Sequence, residues 1–170
     1  IVGDASGSPS AFVLTPKDII AELRWDGLGD GLWESEERWT GEFTGIPDRS
    51  IDAVVRANVV TVSENASART LVIDEDGQVR VSARKALFVY HDAQVKQGTV
   101  IMGSMGTLDV GGKLTFGTGS KYLWEQHSSE SPALTAKQME ILAGSTLDAQ
   151  ATEMLMSPGT RGHRTRTLLS

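Results

Sequence analysis

The sequence predicts an all-β protein, and more specifically a right-handed β-solenoid, from three observations. Residues 58–116 contain runs of four to six residues that are rich in Val, Ile, Leu and Thr. Turns that contain Gly or Asp separate these runs, as at residues 74–77, 103–106 and 111–112. The runs begin roughly every 6 to 13 residues, which is the spacing of stacked rungs and not of βαβ units. A β-sandwich is the alternative that the same short strands permit.

Apolar residues alternate along several of these runs, as Val79 and Val81 or Leu87 and Val89 do. This alternation is typical of strands that are buried on one face only. In a solenoid, equivalent positions of successive rungs stack and build the core. We therefore expect ten side chains of the ladder to be mostly buried: Val59, Val79, Val81, Leu87, Val89, Ile101, Leu108, Val110, Leu114 and Phe116.

The chain before the ladder divides into a flexible leader and a cap. Residues 1–14 are rich in Gly and Ser, and residues 15–57 form the expected cap. Residues 15–18 have the Thr, Pro and Asp spacing of a helix start. The apolar residues that follow predict a short N-terminal helix of about eight residues that ends near Trp25, with an irregular strand as the alternative.

Tryptophan is concentrated in this cap. Trp25, Trp33 and Trp39 surround a loop of Gly and Asp. Each ring offers about 150–250 Å² of mostly apolar surface, so the three predict a hydrophobic lid over one end of the core. A second interpretation makes these rings, together with Trp124, candidates for a platform that binds sugar rings.

Two acidic turns are candidate metal sites. Asp26 and Asp30 flank glycines in the first turn, and Asp74 and Asp76 precede Gly77 in the second. Carboxylate and carbonyl oxygens suit calcium, although neither turn has the ligand alternation of an EF-hand. Such a site would bind with a Kd on the order of 10⁻⁴–10⁻³ M. Plain solvated turns are the alternative, and we expect no other cofactor.

The ladder is expected to continue over residues 58–170. Residues 134–156 repeat the strand–Gly–strand spacing, although their apolar residues also fit a short helix. Residues 167–170 resemble a strand that is cut short. We therefore expect the solenoid to be truncated, with a strand edge near Leu168 that pairs with missing residues of the same polypeptide or with another chain.

Composition and motifs exclude several functions. The chain has 170 residues, no Cys, a net charge of −6 and a pI near 5.0, which argues against a nucleic-acid partner. No run of 18 apolar residues is present, so no membrane span is expected. Residues 103–106 are one residue short of a Gly-x-Ser-x-Gly motif, and the three His are unpaired in sequence. We expect no catalytic residues; paired carboxylates leave polysaccharide cleavage as an alternative.

Residues 25–39, with two Asp-Gly steps between the first two tryptophans, resemble the opening of bacterial secreted β-solenoid proteins. The rungs, and above all residues 106–116 and 143–148, resemble autotransporter passenger repeats and the β-helical G8-type modules. The resemblance implies a secreted or cell-surface location. It implies a non-catalytic structural or adhesive module of a larger protein, with a polysaccharide-binding or polysaccharide-cleaving module as the alternative.

Overall fold

In the computed structural model, which describes residues 21–25, 29–125, 130–147 and 155–156, the chain forms an all-β solenoid of about four turns. Its strands are β1 (Glu22–Trp25), β2 (Gly31–Leu32), β3 (Thr40–Gly41), β4 (Asp52–Val55), β5 (Val59–Val62), β6 (Ala66–Ala68), β7 (Leu71–Ile73), β8 (Gln78–Val81), β9 (Ala86–Val89), β10 (Ala93–Val95), β11 (Thr99–Gly103), β12 (Thr107–Phe116), β13 (Lys121–Glu125), β14 (Ala133–Ile141), β15 (Thr146–Leu147) and β16 (Leu155–Met156). A single turn of 3-10 helix, Glu36–Arg38, is the one helical element among the described residues.

The strands stack in three columns, which we call the first, second and third faces. The first face contains β6, β9, the first half of β12, the first half of β14, and β16. The second face contains β1, β4, β7, β10 and the second halves of β12 and β14. The third face contains β2, β5, β8, β11, β13 and β15. Every one of these pairings is parallel, which is the arrangement of a solenoid and not of a sandwich.

The register fixes which side chains point inward. Leu87 pairs with Leu108, and Leu108 pairs with Leu134, so one turn advances the chain by about 21 to 26 residues along this column. On the third face, Val79 pairs with Val100, which pairs with Tyr122. These columns of inward residues are almost fully buried and form one apolar core. Because burial of apolar surface is the main favourable term in folding, this column-wise core explains why Val, Ile and Leu dominate alternate positions.

The structure confirms the predicted solenoid and most of its expected core. Nine of the ten expected core residues are buried, and Val59 is the exception. The inward residues of β5 are Val60 and Val62, so Val59 lies half-buried on the outer side. The prediction for Val59 was wrong because residues 59 and 60 are both Val, and only the register with β8 distinguishes them.

Two local predictions were also wrong. The expected helix ending near Trp25 is strand β1 over its described part, because its backbone pairs with β4. Gly111 and Gly112 do not form a turn between two strands. They lie inside β12, at the point where its register with β14 shifts and the chain passes from the first face to the second.

Other predictions fall partly outside the described residues. Residues 133–141 and 146–147 are strands, which confirms continued rungs over this part of the 134–156 segment. The leader at residues 1–14, the helix start at residues 15–18 and the strand edge near Leu168 all lie outside the described residues.

Candidate functional site

The first candidate region is a lid of three tryptophans at the N-terminal end of the stack. Trp25, Trp33 and Trp39 are 0%, 1% and 4% exposed, respectively. The rings of Trp25 and Trp39 meet edge to face with centroids 5.2 Å apart, and those of Trp33 and Trp39 do so at 4.9 Å. Edge-to-face contacts of this kind add to the stabilisation from burial. The predicted hydrophobic lid is therefore present as a buried cluster.

Two backbone oxygens orient these rings. The indole Nε1 of Trp25 donates to the oxygen of Gly29 at 3.1 Å, and that of Trp39 donates to the oxygen of Trp33. Next to the rings, β3 pairs antiparallel with β1 and covers the edge of the first strand in the stack. A sugar could stack on these three rings only if this lid opened, so their carbohydrate-binding role stays a prediction.

Trp124 occupies a different place in the fold. The register aligns it with Met102, and Met102 aligns with Val81, so Trp124 belongs to an inward column of the third face. It is half-buried, whereas Met102 and Val81 are completely buried. Trp124 therefore lies far along the stack from the lid, and the four candidate rings do not form one surface.

Two of the four aspartates in the acidic turns, Asp30 and Asp74, use their carboxylates in protein contacts. Asp30 Oδ1 accepts a hydrogen bond from the backbone of Val59 at 2.8 Å. Asp74 Oδ1 accepts from the backbone of Glu75, and its Oδ2 lies 3.5 Å from Lys96 Nζ. Asp76 is exposed, and Asp26 lies outside the described residues. These contacts fit turns that link successive rungs. Calcium stays a prediction, which a thermal melt with millimolar calcium, compared with magnesium, would test.

The second candidate region is an exposed pair of aromatic rings on the first face. Phe88 is 39% exposed and Tyr90 is 53% exposed. The residues between and before them, Val89 and Leu87, are buried in the core. Because side chains alternate across a strand, Phe88 projects from the outer side of β9. Tyr90, the first residue after β9, is exposed beside the end of the strand. The sequence already contained this signal, since assigning Leu87 and Val89 to the inner side assigns the two rings to the outer side.

Polar groups surround the exposed rings. Phe88 pairs in register with Ser67 on one side and Asp109 on the other. Asp109 accepts a hydrogen bond from the hydroxyl of Thr135 on the next strand. Gly111, in the neighbouring strand β12, lies next to Tyr90. A Cβ on Gly111 would lie 2.4 Å from the backbone oxygen of Tyr90. The chain therefore passes very close to Tyr90 at a position that has no side chain.

An ion pair flanks this region without adding net charge. The guanidinium of Arg69 donates to both carboxylate oxygens of Asp52, at 2.9 and 2.5 Å. The hydroxyl of Thr70 donates to the same carboxylate at 2.6 Å. Two parallel hydrogen bonds of this kind fix both side chains in one geometry. The positive charge of Arg69, which directly follows β6, is thus paired with a carboxylate of β4 on the second face.

The described residues contain no group of three or more His, Asp or Glu side chains placed to hold a metal ion. They also contain no helix whose length and apolar character would allow it to cross a membrane. Comparisons of the chain with protein-family models, with curated proteins and with solved structures found no significant match.

Proposed function

We propose that this chain is a non-catalytic structural or adhesive module of a larger bacterial protein that is secreted or displayed at the cell surface. The observation that supports the proposal most directly is the unbroken parallel stacking on the second face from β1 to β14. Each strand bonds to the one before and the one after, so the backbone groups of the stack satisfy one another. Such a stack is a rigid support on which outward side chains can be changed without altering the core.

The proposal also covers the handedness of the solenoid and a partner at its C-terminal side. Connections between parallel strands are right-handed in about 98% of cases, which favours a right-handed coil. Among the described residues at the C-terminal side, β15 pairs with Lys121 and Tyr122 of β13, and β16 pairs with Thr135 and Ala136 of β14. Strand edges with free backbone groups pair with further strands. We expect the remainder of the same polypeptide or another chain to pair there.

Labelling of cells tests the location. Antibodies against the folded chain should label intact cells of the encoding bacterium, or precipitate the protein from the culture medium. Labelling that requires permeabilised cells would overturn the proposal. In parallel, the purified chain should release no reducing ends or unsaturated products from polysaccharides, and reproducible release would replace the structural role by an enzymatic one.

A second function, polysaccharide binding, is favoured by one specific observation. Phe88 and Tyr90, two residues apart, both expose aromatic surface, and Ser67 and Asp109 lie beside Phe88 on the neighbouring strands. Apolar side chains that are exposed next to one another, unlike singly exposed ones, mark contact surfaces. This candidate differs from the sequence-based one because it uses β9 and not the tryptophans.

A further inference from the structure

We propose that Phe88 and Tyr90 form a binding site for a neutral polysaccharide whose chain lies along β9. The inference rests on the second proposed function and specifies its site and its class of ligand. It depends on three properties of the surface, namely the placement of the rings, the hydrogen-bonding groups beside them and the local charge.

The placement of the rings is fixed by the core beneath them. Leu87 and Val89 are 0% and 1% exposed, so β9 cannot rotate without exposing two core residues. The backbone of Tyr90 continues the ladder beyond the strand by donating to the oxygen of Ala68 at 3.0 Å. With about 3.3 Å per residue, the Cα atoms of Phe88 and Tyr90 are about 6.6 Å apart along the chain. The backbone positions that carry the two rings are therefore held at a fixed spacing before any ligand arrives, which lowers the cost of binding.

The chemistry of the surface matches a sugar. One face of a pyranose ring presents C–H groups, and the negative face of an aromatic ring attracts their partial positive charge. The rim of the sugar carries hydroxyl groups, which need donors and acceptors. The strands beside Phe88 supply Ser67 and Asp109, and Thr135 follows on the next strand. A flat face with two rings and small polar neighbours can thus contact both parts of the sugar.

The local charge favours a neutral chain over an acidic one. Asp109 contributes an exposed carboxylate next to Phe88, and the guanidinium of Arg69 is already paired with Asp52. Lys137 lies on the β14 side, two strands from Tyr90, at about 9.6 Å if strands are about 4.8 Å apart. The whole chain carries a net charge of −6, which repels polyanions. An acidic polysaccharide would therefore be repelled by the exposed carboxylate of Asp109 beside Phe88, whereas a neutral one would not.

A protein partner fits this surface less well. A stable protein interface buries about 800 Å² on each partner, with an apolar centre. Here the apolar part consists of two rings, one of which is 39% exposed, and charged or polar residues surround them. A protein partner would be indicated by self-association of the chain that depends on these two rings.

Affinity electrophoresis of the whole chain tests the proposal. Native gels are cast with dextran, mannan, xyloglucan or hydroxyethyl cellulose as neutral probes, and with alginate or polygalacturonate as acidic probes. We expect retardation in at least one neutral gel. Phe88→Ala and Tyr90→Ala should each weaken it roughly tenfold, and the double variant should abolish it.

Two kinds of control keep the test specific. Phe43→Ala removes an aromatic ring that is 46% exposed elsewhere on the chain, and it should leave retardation unchanged. Phe88→Trp and Tyr90→Phe keep the aromatic faces and should keep binding. Circular dichroism and thermal melts should show that every variant folds, because the changed side chains are exposed.

Four outcomes would overturn the inference. They are migration unchanged in every neutral gel, retardation that survives the double variant, retardation by acidic probes alone, and self-association in size-exclusion chromatography that the double variant removes. None of these results bears on where the protein is located, so the cell-labelling experiment remains a separate test of the structural role.

Discussion

The indole N–H of Trp39 donates a hydrogen bond to the backbone oxygen of Trp33 at 2.8 Å, while the two rings pack edge to face. The bond joins the two ends of a short segment that includes the 3-10 turn Glu36–Arg38. The segment is thereby folded onto itself and onto the ring of Trp25. The lid is consequently one cooperative unit, and a change in one ring should affect all three.

Replacement of Trp39 should be strongly destabilising. We expect Trp39→Ala to lower the free energy of unfolding by about 3–5 kcal/mol, because it removes a buried ring and leaves a cavity. Trp39→Phe keeps part of the ring contact and should cost less. Urea unfolding followed by circular dichroism measures both. Phe43→Ala, an exposed ring in the following segment, should change stability by no more than about 0.5 kcal/mol. Equal losses for Trp39→Ala and Phe43→Ala would contradict a buried lid.

Gly31 should tolerate no larger residue while Trp25 is present. A Cβ at this position would lie 2.9 Å from two carbon atoms of the Trp25 ring, and that ring is completely buried. We expect Gly31→Ala to cost about 1–3 kcal/mol through overpacking. The test is a double-mutant cycle with Trp25→Phe, which removes the benzo ring that carries both carbon atoms. The cost of Gly31→Ala should be smaller in the Trp25→Phe background, and identical costs in both backgrounds would disprove the steric explanation.

The ion pair of Asp52 and Arg69 should contribute more to stability than that of Glu64 and Lys85. The first pair is part-buried, bidentate and shares an oxygen with Thr70. In the second pair, the Glu64 side chain is 71% exposed. We expect Asp52→Asn to cost about 1–2 kcal/mol, because charge-assisted hydrogen bonds are lost. Glu64→Gln should cost at most about 0.5 kcal/mol, as exposed pairs do. Thermal melts measure both variants, and a larger loss for Glu64→Gln would reverse this ranking.

The stability contributed by Asp48 should depend on pH in a defined direction. Hydrogen bonds from the side chain and the backbone of Ser50 hold the pKa of Asp48 below its ordinary value of 3.8. The folded state therefore favours the carboxylate. This contribution is present above the ordinary pKa and is lost as the pH falls through the lowered one. Ser50→Ala should raise the pKa of Asp48 towards 3.8, whereas Ser50→Thr should keep it low. An NMR titration of the Asp48 carboxyl carbon measures the change, and an unchanged pKa in Ser50→Ala would refute the assignment.

The sequence predicted the rungs well because the alternation of apolar and polar residues lies within each short strand. Alternation places Leu87 and Val89 on one side of a strand, and the structure buries both. Alternation could not show whether Val59 or Val60 points into the core, because both residues are apolar. The choice is made by the register with β8 and by the backbone of Asn58, whose φ of 62° turns the chain just before β5. The identity of β1 as a strand depends on β4, some thirty residues later in the chain, and no local pattern contains that pairing.

The exposure of the aromatic rings was harder to predict than the rungs, because the type of a ring says less about its placement than the strand that carries it does. Tryptophan offers the largest apolar surface, so it was the natural choice for a sugar platform, but the same property drives it into the core. Trp25, Trp33 and Trp39 are all buried, whereas the smaller Phe88 is exposed. To predict whether a ring is buried, one must know which side of its strand it occupies and whether the cap covers it. The local alternation of residues shows the side of the strand, but it does not show where the cap lies.

Among the described residues, the antiparallel strand β3 ends the parallel stack of the second face at β1. Within the stack, a strand meets parallel neighbours on both sides, so an extra turn could be inserted there by duplicating about 21 residues in frame. At β1 the outer neighbour runs the opposite way and pairs with Leu23 and Arg24. A duplicated turn has no parallel edge to join at that point. Lengthening of such a protein in evolution, or by design, should therefore proceed downstream of the lid, which would remain as a fixed first layer.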